Sequence, residues 1–213
     1  MDKLIVASSY YAKDLINLEY HFIVANKGKR NYLKITFYKE DFWHVIGAGG
    51  SIKEYPQLKT NKSKLFDDIT NNAEYLRQII EAHSTFQSED YINRRVDFLE
   101  LSNIIESDET IFRVVNVIER SQIKADYILK CTLKDGRIYW IFLRSRNKLY
   151  NKKVNEFDEY VIVSAFSSTK NYGFNQTKHV LIYKAKKELI SNHITVLKKY
   201  SSLTDEDISN FQT

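Results

Sequence analysis

"ADYILKCTLKDGRIYWIFLRS", residues 125–145, places two aromatic and β-branched runs on either side of Asp135-Gly136. Residues of this kind fit a pleated, half-buried surface. An Asp-Gly pair between two such runs is the strongest short-range signal for a β-hairpin. The stretch therefore predicts two antiparallel strands, and the fold is read outward from it. "TIFRVVNVIE" (110–119) precedes it, and "EYVIVSAFSS" (159–168) and "KHVLIYKAK" (178–186) follow, all with strand character. Strands joined by short turns predict an antiparallel sheet. Cys131 lies inside one run, where a buried, unreactive thiol is expected.

Toward the N-terminus, "EYHFIVAN" (19–26) and "NYLKITFY" (31–38) are two more strand-like runs. "NKGKR" between them suits a hairpin turn with Gly28 at positive φ. Residues 2–17 read equally as strand or helix start. "KEDFWHVIG" (39–47) predicts a short helix, with Glu40 and Asp41 at its positive end and Gly47 at its C-cap. The middle of the chain changes period. "SKLFDDITNN", "AEYLRQIIEAH" and "SEDYINRRVDFLELSNIIES" carry apolar residues at helical spacing, with Ile92, Val96, Leu99 and Ile104 tracing one stripe. The expected class is α+β: N-terminal strands and a helical middle packed on an antiparallel β-sheet. A single domain over 1–213 is expected, with a partly helical tail from 188.

The chain has 213 residues and a net charge of +5, enough length for a core without disulfides or metal. Its one cysteine excludes an internal disulfide and a Cys-based zinc site. The opening apolar run is too short for a signal peptide or a membrane span, so a cytoplasmic protein without a membrane partner is expected. "GAGG" (47–50) is not followed by the Lys-Ser/Thr of a phosphate loop, and no Gly-x-Ser-x-Gly elbow occurs. The five histidines, His21, His44, His83, His179 and His193, are all far apart, so neither a metal nor a cofactor is expected. Basic charge gathers in "RSRNKLYNKK" (144–153), which includes Arg144, Arg146, Lys148 and Tyr150. Aromatic rings among cations suit a nucleic acid, because bases stack on them. A solvated lysine-rich surface is the competing reading.

Histidine, arginine and lysine without metal are the groups that cleave RNA by 2′-hydroxyl attack. A base takes that proton, an acid protonates the leaving oxygen, and a cation holds the phosphate. Four stretches give this a family context: "FYKEDFWHVIGAGG" (37–50), "RVDFLE" (95–100), "DYILKCTLKDGRIYWIFL" (126–143) and "KHVLIYKAK" (178–186). Their order resembles the phage-associated members of the barnase–EndoU–colicin–RelE superfamily of metal-independent ribonucleases. The resemblance spans Leu15 to Lys187. It implies helices packed on an antiparallel sheet and a phage or mobile-element protein, a toxin or an anti-defence factor, that cleaves RNA. It points to His44 as proton carrier and to Arg95, Lys34 and Lys184 at the phosphate. Arg144, Arg146, Lys148, Tyr150 and Lys39 would bind the nucleic acid.

Each of these residues has a plainer reading. His44 could satisfy a backbone carbonyl at a buried helix end, and Arg95 could extend to solvent from the edge of its stripe. Lys34 and Lys39 could be exposed strand lysines. Lys184 alternates with Leu181, Tyr183 and Ala185, so if those face the core it faces away. His21, between Tyr20 and Phe22 in a strand, reads as structural. The family's Leu-Thr after the histidine is Val45-Ile46 here, and its Pro-x-Ser-Phe-Phe-like segment is "KKVNEF". These departures leave a second function open: a non-catalytic inhibitor binding nucleic acid or a host defence complex. An antidote protein is a further possible partner.

Overall fold

The structure is a computed structural model, which describes residues 3–47, 61–71, 74, 99–107, 109–119, 121–150, 159–201 and 203–209. Among the described residues there are eight strands: β1 Leu18–Asn26, β2 Lys29–Thr36, β3 Glu109–Arg113, β4 Tyr127–Thr132, β5 Ile138–Ser145, β6 Glu159–Ser167, β7 Thr177–Glu188 and β8 Ile194–Lys199. The helices are α1 Lys3–Tyr10, α2 Phe42–Val45, α3 Lys62–Thr70, α4 Leu101–Glu106, α5 Arg146–Tyr150 and α6 Asp205–Ser209. A π-turn, Tyr11–Leu15, extends α1, and a 3₁₀ turn, Lys39–Asp41, precedes α2.

Both predicted hairpins form. Lys27 and Gly28 have φ of 48° and 78°, the pair of positive values that a two-residue type I′ turn requires. At the second, Gly136 takes φ 84°, and Asp135 Oδ1 accepts from the Arg137 N–H at 3.0 Å. The sheet itself differs from the expected plain antiparallel one. Its order is β1-β2-β6-β5-β4-β3-β7, and β7 pairs back onto β1, so seven strands close into a barrel. One pairing is parallel, β2 with β6, through Lys34↔Glu159 and Ile35↔Tyr160. Closure satisfies both edges that an open sheet would leave unpaired. β8 lies outside the ring, on the edge of β7 beyond the point where β3 stops. It falls within the tail that was expected to be partly helical; α6 supplies the helical part.

Alternate residues fill the barrel: Tyr20, Phe22 and Val24 from β1 meet Leu129, Ile141 and Ile162 in one buried cluster. The helices join this core at one side. Tyr11, Phe42 and Phe66 pack edge to face, with centroids 5.1–5.8 Å apart. Trp43 is fully buried and donates from Nε1 to the Lys62 carbonyl at 3.1 Å, so it belongs to the core. Two smaller clusters cover the outside of the barrel. One gathers Ile128, Trp140, Phe142, Phe166 and Tyr172, and the other seats Leu203 on Ile23, Tyr183 and Ala185.

β7 breaks the expected alternation. Ile23 pairs with Tyr183 but Val24 pairs with Leu181, so Ile182 is an inserted bulge residue. The bulge turns Lys184 inward beside Phe22, while Tyr183 and Ala185 join the outer cluster. The expectation that Lys184 lies opposite the core is therefore corrected. Its ammonium is 2% exposed and lies 2.7 Å from Glu109 Oε2. It also faces the carbonyls of Ile105 and Glu106, both at 3.1 Å, and of Ser107, which end α4. A cation suits the last carbonyls of a helix.

Candidate active site

The parallel junction of β2 and β6 assembles a polar surface on the outside of the barrel. Outward residues of β2 are Tyr32, Lys34 and Thr36; their cross-strand partners on β1 are Ile23, His21 and Glu19. Because β6 begins at Glu159 in register with Lys34, the two side chains meet at 2.8 Å. Burial lowers the pKa of Lys34, but Glu159 and Glu19 outweigh that effect and hold it above its ordinary value. Lys34 therefore stays an ammonium at neutral pH.

Arg146 enters this surface from the start of α5. Its Nη2 lies 2.6 Å from Asp41 Oδ2 and 3.2 Å from Thr36 Oγ1. Its Nε lies 3.5 Å from Glu159 Oε2, and its guanidinium covers the Tyr38 ring at 4.1 Å. Arginine suits such a site because its planar fork serves a carboxylate and an aromatic face together. Asp41, 1% exposed, also accepts from the Tyr38 N–H at 3.1 Å. Arg146 thus fastens the 38–46 segment to the β2–β6 junction. Between Asp41 and Ile46 every residue is buried except His44, which is half-buried. His44 follows Asp41 by three positions, the spacing of neighbours on a helical surface.

His21 lies on the other side of Lys34. It is 5% exposed, its Nδ1 contacts the Tyr32 hydroxyl, and its Nε2 is 3.3 Å from Glu19 Oε2. The His21 hydrogen bond, helped by Lys34 and Lys187 against burial, holds the Glu19 carboxyl below its usual range. Burial, with Glu19 and Tyr183, pushes the Tyr32 phenol well above its usual value. Glu19 is ionised at neutral pH and Tyr32 keeps its proton. One line of alternating groups results: Tyr32, His21, Glu19, Lys34, Glu159, Arg146 and Asp41.

Of the residues expected from sequence, Lys34 and Arg146 come together here, with His44 on the segment that Arg146 holds. Arg95 lies outside the described residues. Lys184 is inside the barrel, on a different side of the sheet. Lys39 reaches Asp67 of α3 at 2.7 Å, with both side chains well exposed. Lys148 contacts Asp126, which accepts from the Ser145 N–H at 2.8 Å. Arg144 lies 3.5 Å from the Lys148 carbonyl, and Tyr150 is the last residue of α5. His21 and its partners were missed as chemical groups. Their signal was Glu19-x-His21, which a strand places on one face. Among the described residues, no three of His, Cys, Asp and Glu gather as a metal site would require, and no helix is long and apolar enough to cross a membrane.

The sequence matches a family model described as phage-Barnase-EndoU-ColicinE5/D-RelE like nuclease 4, over residues 3–201. The chain belongs to this nuclease family. The match takes in every strand of the barrel and the whole β2–β6 surface, and it bears out the resemblance seen in the sequence. A nucleic-acid substrate follows from membership of a nuclease family. Neither the curated proteins nor the solved structures gave a match.

Proposed function

We propose that this protein is a phage or mobile-element ribonuclease that cleaves RNA without metal. The ribose 2′-oxygen attacks the adjacent phosphorus, the bond to the 5′-oxygen breaks, and a 2′,3′-cyclic phosphate and a 5′-hydroxyl result. Lys34 holds the phosphate, with the charge of Arg146 behind it. His44, half-buried at the rim, gives a proton to the departing 5′-oxygen. Lys184 has no part in this reading, because carbonyls and Glu109 surround its three N–H groups. The observation that carries the proposal is the meeting of Lys34, Arg146 and the His44 segment on one surface of a nuclease-family chain. Incubation of single-stranded RNA and tRNA with the protein in EDTA tests it. The parent protein should cut and leave cyclic phosphate ends, and His44→Ala should cut at least about a hundredfold more slowly. Cleavage at the parent rate by folded His44→Ala would remove His44 from the mechanism.

A second reading is binding without catalysis, to nucleic acid or to a host defence complex. It is favoured by one observation: Lys34 and Arg146 both already hold carboxylates. Under this reading the parent protein retains RNA but leaves it intact, and retention falls steeply with salt. Capture of a host protein at high salt, with no affinity for RNA, would place the partner among proteins instead.

A further inference from the structure

His21 is nearly sealed from solvent, yet both of its ring nitrogens face groups that handle protons. A substrate cannot reach the imidazole directly. Tyr32 is half-buried, and its hydroxyl contacts His21 Nδ1. The relay uses the tautomer in which Nδ1 accepts from the tyrosine and Nε2, 3.3 Å from Glu19 Oε2, carries the hydrogen. This is the order of an activated hydroxyl, a base and an orienting acid, with tyrosine in the hydroxyl position.

We propose that Glu19, His21 and Tyr32 form a proton relay that serves as the general base of the RNA-cleavage reaction. The inference rests on the ribonuclease reading above. The Tyr32 oxygen accepts the 2′-hydroxyl proton while its own proton passes to His21 Nδ1. The 2′-oxygen forms its bond to phosphorus, the 5′-oxygen leaves, and that oxygen takes its proton from His44. Tyr32 ends as it began, His21 becomes an imidazolium, and Glu19 remains a carboxylate beside it. Solvent then restores both histidines. The phenol's resistance to ionisation means that the two transfers at Tyr32 are coupled and no free phenolate accumulates.

Charged groups surround the relay. Lys34 is the cross-strand partner of His21, and Glu19 on the same strand places its carboxylate 3.3 Å from Nε2. Ala185 pairs with His21 from β7; its neighbours Tyr183 and Lys187 face Tyr32 and Glu19, and Glu159 on β6 neutralises Lys34. Tyr32 acts on the substrate, and His21 and Glu19 position and receive its proton.

Two readouts on the full chain test the relay. The first is the pair of kcat and KM for a defined oligoribonucleotide in EDTA. The second is the ¹⁵N shift of the His21 ring without RNA. Tyr32→Phe should lower kcat by about a hundredfold or more with little change in KM, and should move the Nδ1 resonance. Glu19→Gln, which keeps the side-chain shape, should lower kcat by about tenfold or more with little change in KM, and should move the Nε2 resonance. A purely structural role leaves kcat and the ring resonances in place. Parent-like kcat in folded Tyr32→Phe or in folded Glu19→Gln overturns the relay alone. Absence of cleavage by the parent protein overturns the ribonuclease reading and the relay with it.

Discussion

The guanidinium of Arg146 meets Asp41, Thr36, Glu159 and the face of Tyr38. Its side chain is 13% exposed and that of Asp41 is 2%, so water screens the pair poorly. Removing one partner of such a pair leaves a charge in a place built to hide it. Arg146→Met should therefore cost about 3 kcal/mol in a urea titration, and Arg146→Lys should recover only part, because an ammonium lacks the planar fork. A loss under about 0.5 kcal/mol would mean that Asp41 finds water when the arginine goes. Glu19 gives a pH-dependent counterpart. Its folded pKa lies below the ordinary 4.5, so its contribution is present above that value and is lost as pH falls through the folded one. Midpoints measured from pH 3 to 7 should fall more gently with acid in Glu19→Gln than in the parent. At this scale the sequence was half legible. Lys34 could be named through the family resemblance, and Arg146 from the basic run 144–153 with its aromatic ring. For His21 only the Glu19-x-His21 pair is visible in its own strand, since Tyr32 and Lys34 join it from β2.

Among the elements, β7 shows how one inserted residue decides a side chain's surroundings. With strict alternation Lys184 would share the face opposite Tyr183, Ala185 and Leu181. The bulge at Ile182 leaves Leu181 and Lys184 inside and sends Tyr183 outside. No local pattern marks a bulge of this kind, because the extra residue is defined by pairing with β1, more than 150 positions earlier. Lys184→Met should cost about 3–5 kcal/mol, since it strands Glu109 and three helix-end carbonyls together. Double replacement, Lys184→Met with Glu109→Gln, should cost less than the sum of the two single changes. Equal costs would show that the pair is not coupled. The turns were far more legible. Lys27-Gly28 and Asp135-Gly136 announce their turns locally; Gly28 takes positive φ as expected, and so does Gly136.

At the level of the whole molecule, the hidden information is closure. The strands of both hairpins are adjacent in sequence, but the β1–β7 seam and the parallel β2–β6 pair join distant segments. Both are fixed by burying two faces at once, which single-strand periodicity does not express. The resulting interior takes residues from all seven barrel strands and from the helices on one side, in one continuous cluster. A second cluster lies across the sheet from it, under Tyr172. Strands shared between the two layers couple them, since β5 supplies Ile141 to the first and Trp140 to the second. The chain should therefore unfold as one cooperative unit. Its two tryptophans suit the test, because Trp43 is buried in the first cluster and Trp140 in the second. Trp43→Phe leaves fluorescence that reports the outer layer, and Trp140→Phe leaves a reporter of the barrel and helices. Each substitution will shift the midpoint, so the comparison is made within a variant, between its fluorescence and its far-ultraviolet circular dichroism. Coincident transitions in both variants support a single unit. Fluorescence that departs early in Trp43→Phe alone would show that the outer layer opens while the barrel stays closed.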